Sequence, residues 1–198
     1  MNTISRNRGF TLIELMVVLA IAAILLTVGV PSFRDLMIKN RLSGQIQEFY
    51  NAINFARSEA IKRGNFVSIC KSSDGSTCGG SNVSWSSGWI IFANDDNDSP
   101  AARDNINSTN EESLLRIFPA LPNGYTLNAN TNFANYITFD RLGMANNSGT
   151  FIFCRGSDKA KARAIALTRT RQRIATDTDK NGIPNKDNGA DITSCENP

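Results

Sequence analysis

Residues 8–30 read RGFTLIELMVVLAIAAILLTVGV, and this stretch decides the architecture. From Phe10 to Val30 the run is apolar, relieved only by Thr11, Glu14, Thr27 and Gly29. A helix of about 20 apolar residues spans a bilayer. The flank before it carries Arg6 and Arg8 and no acid, so the short leader is expected to stay cytoplasmic and the rest to lie outside. An ordinary secretory signal loses its apolar part at a small-residue site beyond it; here the plausible cut lies before the run. Glu14 sets the segment apart from a plain anchor. A carboxylate in an apolar membrane helix costs at least ~2.5 kcal/mol and is normally kept for a partner or a function. A free amine created by cleavage after Gly9, on a neighbouring subunit, would be a suitable counter-charge.

R-G-F-T-L-I-E-L, residues 8–15, resembles the type III signal of type IV prepilins and type II secretion pseudopilins. The resemblance implies a leader over residues 1–9, cleavage between Gly9 and Phe10 by a prepilin peptidase, and N-methylation of Phe10. It also implies a subunit-assembly role for Glu14, a transmembrane helix over 10–30, and other major and minor pilins as partners.

The remainder of the 198-residue chain suffices for one modest head domain. Hydrophobic residues make up 41% and charged residues 20%, ordinary values for a globular protein, and the formal net charge of +3 by itself points to no nucleic-acid partner. There is no histidine, which removes the commonest general base and metal ligand. With no P-loop and no nucleophile elbow, neither an enzyme nor a cofactor is expected. The even set Cys70, Cys78, Cys154 and Cys195 lies wholly beyond the apolar run, as in a domain matured in an oxidising compartment. No C-x-x-C pair supports zinc. Proximity favours Cys70 with Cys78, leaving Cys154 to hold the tail at Cys195.

Gly29 and Pro31 are expected to bend or loosen the helix. Past them Leu42, Ile46, Phe49, Ile53, Ala56 and Ala60 recur at four- and three-residue spacing, an apolar face to pack on a sheet. Between them Arg41, Gln45, Gln47, Glu48, Asn51, Arg57, Ser58 and Glu59 give a polar opposite face. This amphipathic helix covers 31–63, with Gly64 as its stop. Continuous from 10 to 62, the helix would run on the order of 80 Å. The head, 64–198, then reads as short β-type runs at 65–70, 88–93, 114–118, 136–139, 151–154 and 164–174, with a hairpin turn at 146–149. The fold class is α+β: a long N-terminal helix on an antiparallel β-sheet head with a disulfide-tied C-terminal region.

S-G-W-I-I-F (87–92), L-L-R (114–116), I-T-F-D-R-L-G (137–143) and Cys154 resemble the GspH/FimT branch of the pilin superfamily. That resemblance implies a type IV pilin fold and a minor subunit that primes or caps a type IV pilus or a type II secretion pseudopilus. It places the head in the periplasm, anchored in the inner membrane before assembly and in the filament, at its tip, afterwards.

Two head segments add candidate chemistry. Residues 155–173 hold Arg155, Lys159, Lys161, Arg163, Arg169, Arg171 and Arg173 against Asp158, a local charge of +6. If 164–174 is one strand, Arg169, Arg171 and Arg173 alternate onto one face, where arginine forks could track the phosphates of double-stranded DNA. Thr170-Arg171-Gln172-Arg173 resembles the G-R-x-R motif with which the FimT branch binds DNA in natural transformation, but the glycine is missing. A solvated edge strand or contacts with neighbouring pilins are the competing readings. Asp177, Asp179 and Asn181, followed by Asp187 and Asp191, resemble half of a calcium loop. Its twelfth position is Asn188 rather than glutamate, which favours a polar turn.

Overall fold

The computed structural model describes residues 10–80, 82–94, 112–181, 183–186 and 188–196. They fall into two compact units, the first ending at Asn40 and the second beginning at Arg41. Both contribute to one helix, α1 (Leu12–Arg63), which runs unbroken through Gly29 and Pro31. The expected loosening there does not interrupt it, since a proline removes one amide donor and leaves the flanking bonds intact. Gly64, at φ 65°, ends α1 in a Schellman motif. Its amide donates to Ile61 O, and Asn65 N donates to Ala60 O.

In the first unit the large apolar side chains described on α1 are exposed, from Leu12 at 77% to Met37 at 55%, apart from the half-buried Ile38. In the second, Leu42, Ile46, Phe49, Ile53, Ala56 and Ala60 are buried, together with Ala52. The polar face is narrower than its sequence suggests. Gln45 is buried, and Arg57 is half-buried with its guanidinium 5.3 Å from the Phe139 ring centroid.

Among the described residues eight strands follow: β1 (Phe66–Lys71), β2 (Trp89–Asn94), β3 (Leu114–Phe118), β4 (Tyr125–Ala129), β5 (Tyr136–Phe139), β6 (Gly149–Arg155), β7 (Arg163–Leu167) and β8 (Gln172–Ile174). They form two four-stranded sheets, in the orders β3-β2-β1-β5 and β4-β6-β7-β8. Every pairing is antiparallel. The helix binds the sheets to each other through Phe49, whose ring lies 5.8 and 5.0 Å from Trp85 and Trp89 and 4.9 and 5.8 Å from Phe151 and Phe153. Strands β2 and β6 are buried along nearly their whole length, because each sheet is covered on both faces. Away from the helix, Cys70, Ile90 and Phe92 pack with Cys78 and Tyr136, while Ile152, Cys154 and Ala164 pack under Ile192 and Cys195 of the tail. Disulfides Cys70–Cys78 and Cys154–Cys195 hold these two covers.

The expected α+β fold is present, and in the head three readings of the sequence are corrected. Strand β4 was not anticipated. Residues 146–149 are no hairpin turn: β5 and β6 belong to different sheets, and the segment crosses between them. Residues 164–174 are not one strand but the hairpin β7–β8, closed by Thr168 N donating to Arg171 O at 2.7 Å. Thr168 Oγ1 reinforces the turn by donating to Arg171 O and accepting from Arg171 N.

Candidate assembly surface and basic sites

Thr11 begins α1 as its cap, its Oγ1 accepting from Glu14 N at 3.3 Å. Glu14 therefore stands in the first turn, where its charge also complements the helix dipole. Its carboxylate is exposed and meets no partner among the described residues. Phe10 is exposed at 85%, and Gly9 lies outside the described residues. By length and composition α1 can cross a membrane. Its first half is thus an apolar surface with one unpartnered acid, a surface that the fold of this chain leaves uncovered.

The expected row of arginines is absent, because the turn at 168–171 interrupts the alternation. Arg173 pairs with Ala166 on the tail side of its sheet, and its Nη2 donates to Lys186 O at 3.0 Å. Gln172, between the arginines in sequence, is buried toward the helix and bonds to Asn54. Lys159 Nζ donates to Thr193 O at 2.9 Å, Lys161 lies 3.6 Å from Asp158, and Arg163 Nη1 donates to Ala162 O. Arg155 stacks on the Tyr125 ring, 4.9 Å from its centroid, and Arg41 stands 5.9 Å from the same ring. Only Arg169 and Arg171 of the predicted row are presented to solvent, on the β7–β8 turn.

That turn gains neighbours the sequence reading missed. Arg57 Nη1 donates to Thr170 O at 3.0 Å, tying α1 to the turn, and burial pushes the Arg57 guanidinium below its usual pKa. Ala145 N donates to Arg169 O and Ser148 Oγ accepts from Arg169 N, tying the 144–148 segment to it as well. Arg141, exposed on the turn after β5, lines with Arg169 a cleft of about 500 Å³. The signal for Arg141 was the D-R-L-G string, whose aspartate and glycine mark a tight turn.

The candidate calcium loop is held by its own hydrogen bonds. Asp177 Oδ1 accepts from Asn181 N, and Asn181 Nδ2 donates to Asp179 and Asp191 at 2.9 and 2.6 Å, placing an amide where a cation would sit. The Asn181 oxygen accepts from Ile183 N. Among the described residues no group of three or more His, Cys, Asp or Glu is arranged to hold a metal. Asp187 lies outside the described residues.

Comparison with known proteins agrees with this architecture. The profile of the type II transport protein GspH matches residues 45–171, and that of the prokaryotic N-terminal methylation motif matches residues 4–30. Over 44 residues the chain is 48% identical to the prepilin peptidase-dependent protein D of Escherichia coli (strain K12). That match covers 22% of this chain and spans 30% of the relative's length. Two crystal structures of the type IV minor pilin FimU of Pseudomonas aeruginosa (strain PAO1) share the fold at 17% identity. One gives a TM-score of 0.54 over 79% of this chain and 96% of FimU, the other 0.50 over 75% and 95%. Because the GspH profile runs from the second half of α1 to the β7–β8 turn, behind a methylation motif that takes in Phe10 and Glu14, the chain belongs to the GspH family.

Proposed function

We propose that the chain is a minor pilin of a type IV pilus, drawn into the filament by its N-terminal helix to prime or cap assembly. The observation that carries this reading is the exposed apolar half of α1, with the unpartnered carboxylate of Glu14 in its first turn. Before assembly the helix sits in the inner membrane with the head in the periplasm. A prepilin peptidase cuts after Gly9 and methylates Phe10. The new amine of a neighbour then neutralises Glu14, removing a charge that costs at least ~2.5 kcal/mol in hydrocarbon.

The test is Glu14→Leu in the full-length chain in its host, with leader cleavage followed by immunoblot and incorporation by pilus shearing. Cleavage is expected to proceed and incorporation to fall by more than about tenfold, the factor that a loss of ~2.5 kcal/mol comfortably exceeds. Undiminished incorporation refutes the pairing. Deleting the gene separates the two family roles: lost pili favour the pilus, lost exoprotein release the type II secretion pseudopilus.

A second reading, DNA capture during natural transformation, draws on one observation: Arg169 and Arg171 stand exposed on a turn that needs no glycine. Arg173, Lys159 and Arg163 are engaged with backbone carbonyls and Lys161 with Asp158, which narrows the candidate DNA contacts to the turn.

A further inference from the structure

Where α1 stops, a cleft of about 500 Å³ opens between residues 64–66, the segment 140–146 and Arg169. Its chemistry is mixed in a specific way. Leu142, 71% exposed, lines it beside the half-buried Phe66 and Met144. Gly143, at φ 76°, lets the turn lie on the end of α1: a Cβ there would stand 2.7 Å from Ile61 Cδ1 and 3.1 Å from Arg57 Cγ. A single exposed leucine is unremarkable, but one that lines a cleft with two half-buried apolar side chains forms a surface that binding could bury.

The charges around it are unbalanced. Arg141 and Arg169 line the cleft, and among the described residues neither guanidinium has an ion-pair or hydrogen-bond partner. Asp140, the carboxylate of the cleft, is committed to the turn, its Oδ1 accepting from Leu142 N at 2.9 Å and Met144 N at 2.8 Å. The backbone of Arg169 is fixed by Ala145 and Ser148, so the two cations are carried on connected turns.

We propose that this cleft docks a segment of a neighbouring filament subunit that carries a carboxylate beside an aliphatic side chain, the carboxylate bridging Arg141 and Arg169 and the aliphatic group covering Leu142 and Met144. The proposal rests on the chain being a filament subunit. Charge complementarity calls for an anion, and the arginine fork suits a carboxylate or a phosphate. The apolar lining decides between them. A phosphodiester would satisfy the arginines and leave Leu142 in water, whereas a protein segment buries it with Met144, the arrangement of an interface anchor beside arginine.

The experiment uses the full-length chain in its piliated host, with photoreactive p-benzoylphenylalanine in place of Leu142, and in a parallel strain in place of Leu19 in the membrane half of α1. Irradiation of intact cells is expected to join both probes to other pilin subunits. The Leu142 adduct should map beside an Asp or Glu of the partner. Its yield is expected to fall about tenfold in an Arg141→Gln, Arg169→Gln background, while the Leu19 adduct persists. A Leu19 adduct with a silent Leu142 probe overturns the docking cleft and leaves the filament reading standing. Silence at both overturns both. A nuclease-sensitive Leu142 adduct makes nucleic acid the occupant, and an adduct indifferent to the arginine substitutions removes the carboxylate; either result overturns the proposal.

Discussion

Replacing Cys154 and Cys195 together by serine is expected to lower the stability of the head by about 4 kcal/mol, and replacing Cys70 and Cys78 by about 2.5. The figures follow from loop closure. The first bridge spans 41 residues and the second 8, so the closure entropy separates them by 1.5RT ln(41/8), about 1.5 kcal/mol at 25 °C. Tail contacts should survive the loss of the longer bridge in part. Asn128 Nδ2 donates to Cys195 O at 2.6 Å, and Ile192 packs with Ile152 and Ala164, so the variant is expected to keep its sheets and loosen its cover. Urea unfolding of the head, followed by fluorescence of the buried Trp85 and Trp89, reads both variants against the oxidised protein, with the slope fitted for each because opening a bridge lets the unfolded chain expand. If the short loop proves the costlier to open, loop closure is not what these bridges contribute. If the long one costs under about 1 kcal/mol, the noncovalent tail contacts hold the cover unaided.

Three further outcomes follow from individual residues. Phe49→Ala removes the ring on which both sheets meet and is expected to cost about 3–5 kcal/mol, measured by the same unfolding; a cost under about 1.5 would mean the sheets hold each other without the helix. Asp74 accepts from the Thr77 hydroxyl, from the Thr77 and Ser76 amides and from the Ser72 hydroxyl, which together hold its carboxyl well below the usual range. A depressed folded-state pKa stabilises above the unfolded value of about 3.9 and stops doing so as pH falls through the folded value, so the stability gap between wild type and Asp74→Asn is expected in full at pH 7 and to shrink below about pH 4; a gap that holds constant or widens in acid contradicts it. If the head binds duplex DNA through the β7–β8 turn, Arg169→Gln with Arg171→Gln reduces the slope of log K against log salt by about 1.8, at 0.9 per lost phosphate contact, while Arg173→Gln leaves it unchanged.

The fold was legible where local pattern and tertiary role coincide. The spacing of Leu42, Ile46, Phe49 and Ile53 is helical and the face it defines is the buried one, so the periodicity carried the packing with it. It misplaced Gln45 and Arg57 because spacing marks a polar residue as outward and says nothing of a head that wraps past the helix on both sides. Strand β4 follows Pro119 and Pro122 and shows only Tyr125 and Leu127 as buried alternate positions, too short a pattern to stand out. The division into two sheets had no local signal. Asn146, Asn147, Ser148 and Gly149 have hairpin composition, yet Ala145 and Asn146 bond to Arg169 O and Thr138 O, and the chain between β5 and β6 changes sheets.

The candidate head site illustrates why charge density along a chain is a poor guide to charge density in space. The alternation rule put Arg169, Arg171 and Arg173 on one face only while 164–174 stayed extended, and Thr168 ends that strand with a side-chain and backbone clasp on Arg171 that needs neither glycine nor proline. Once the chain reverses, Arg173 falls beside Ala166 under the tail and its charge is spent on Lys186 O. The same reversal moves the turn toward Arg57, 113 residues from Thr170 in sequence, and brings Arg169 to the cleft that Arg141 also lines. What fixes Arg141 there is the pair of constraints at its ends. Asp140 holds the turn closed through the amides of Leu142 and Met144, and Gly143 permits that closed turn to rest against Ile61. The tight turn is pressed onto the end of the helix at Gly143, and Arg141, two residues before it, stays exposed and lines the same cleft as Arg169.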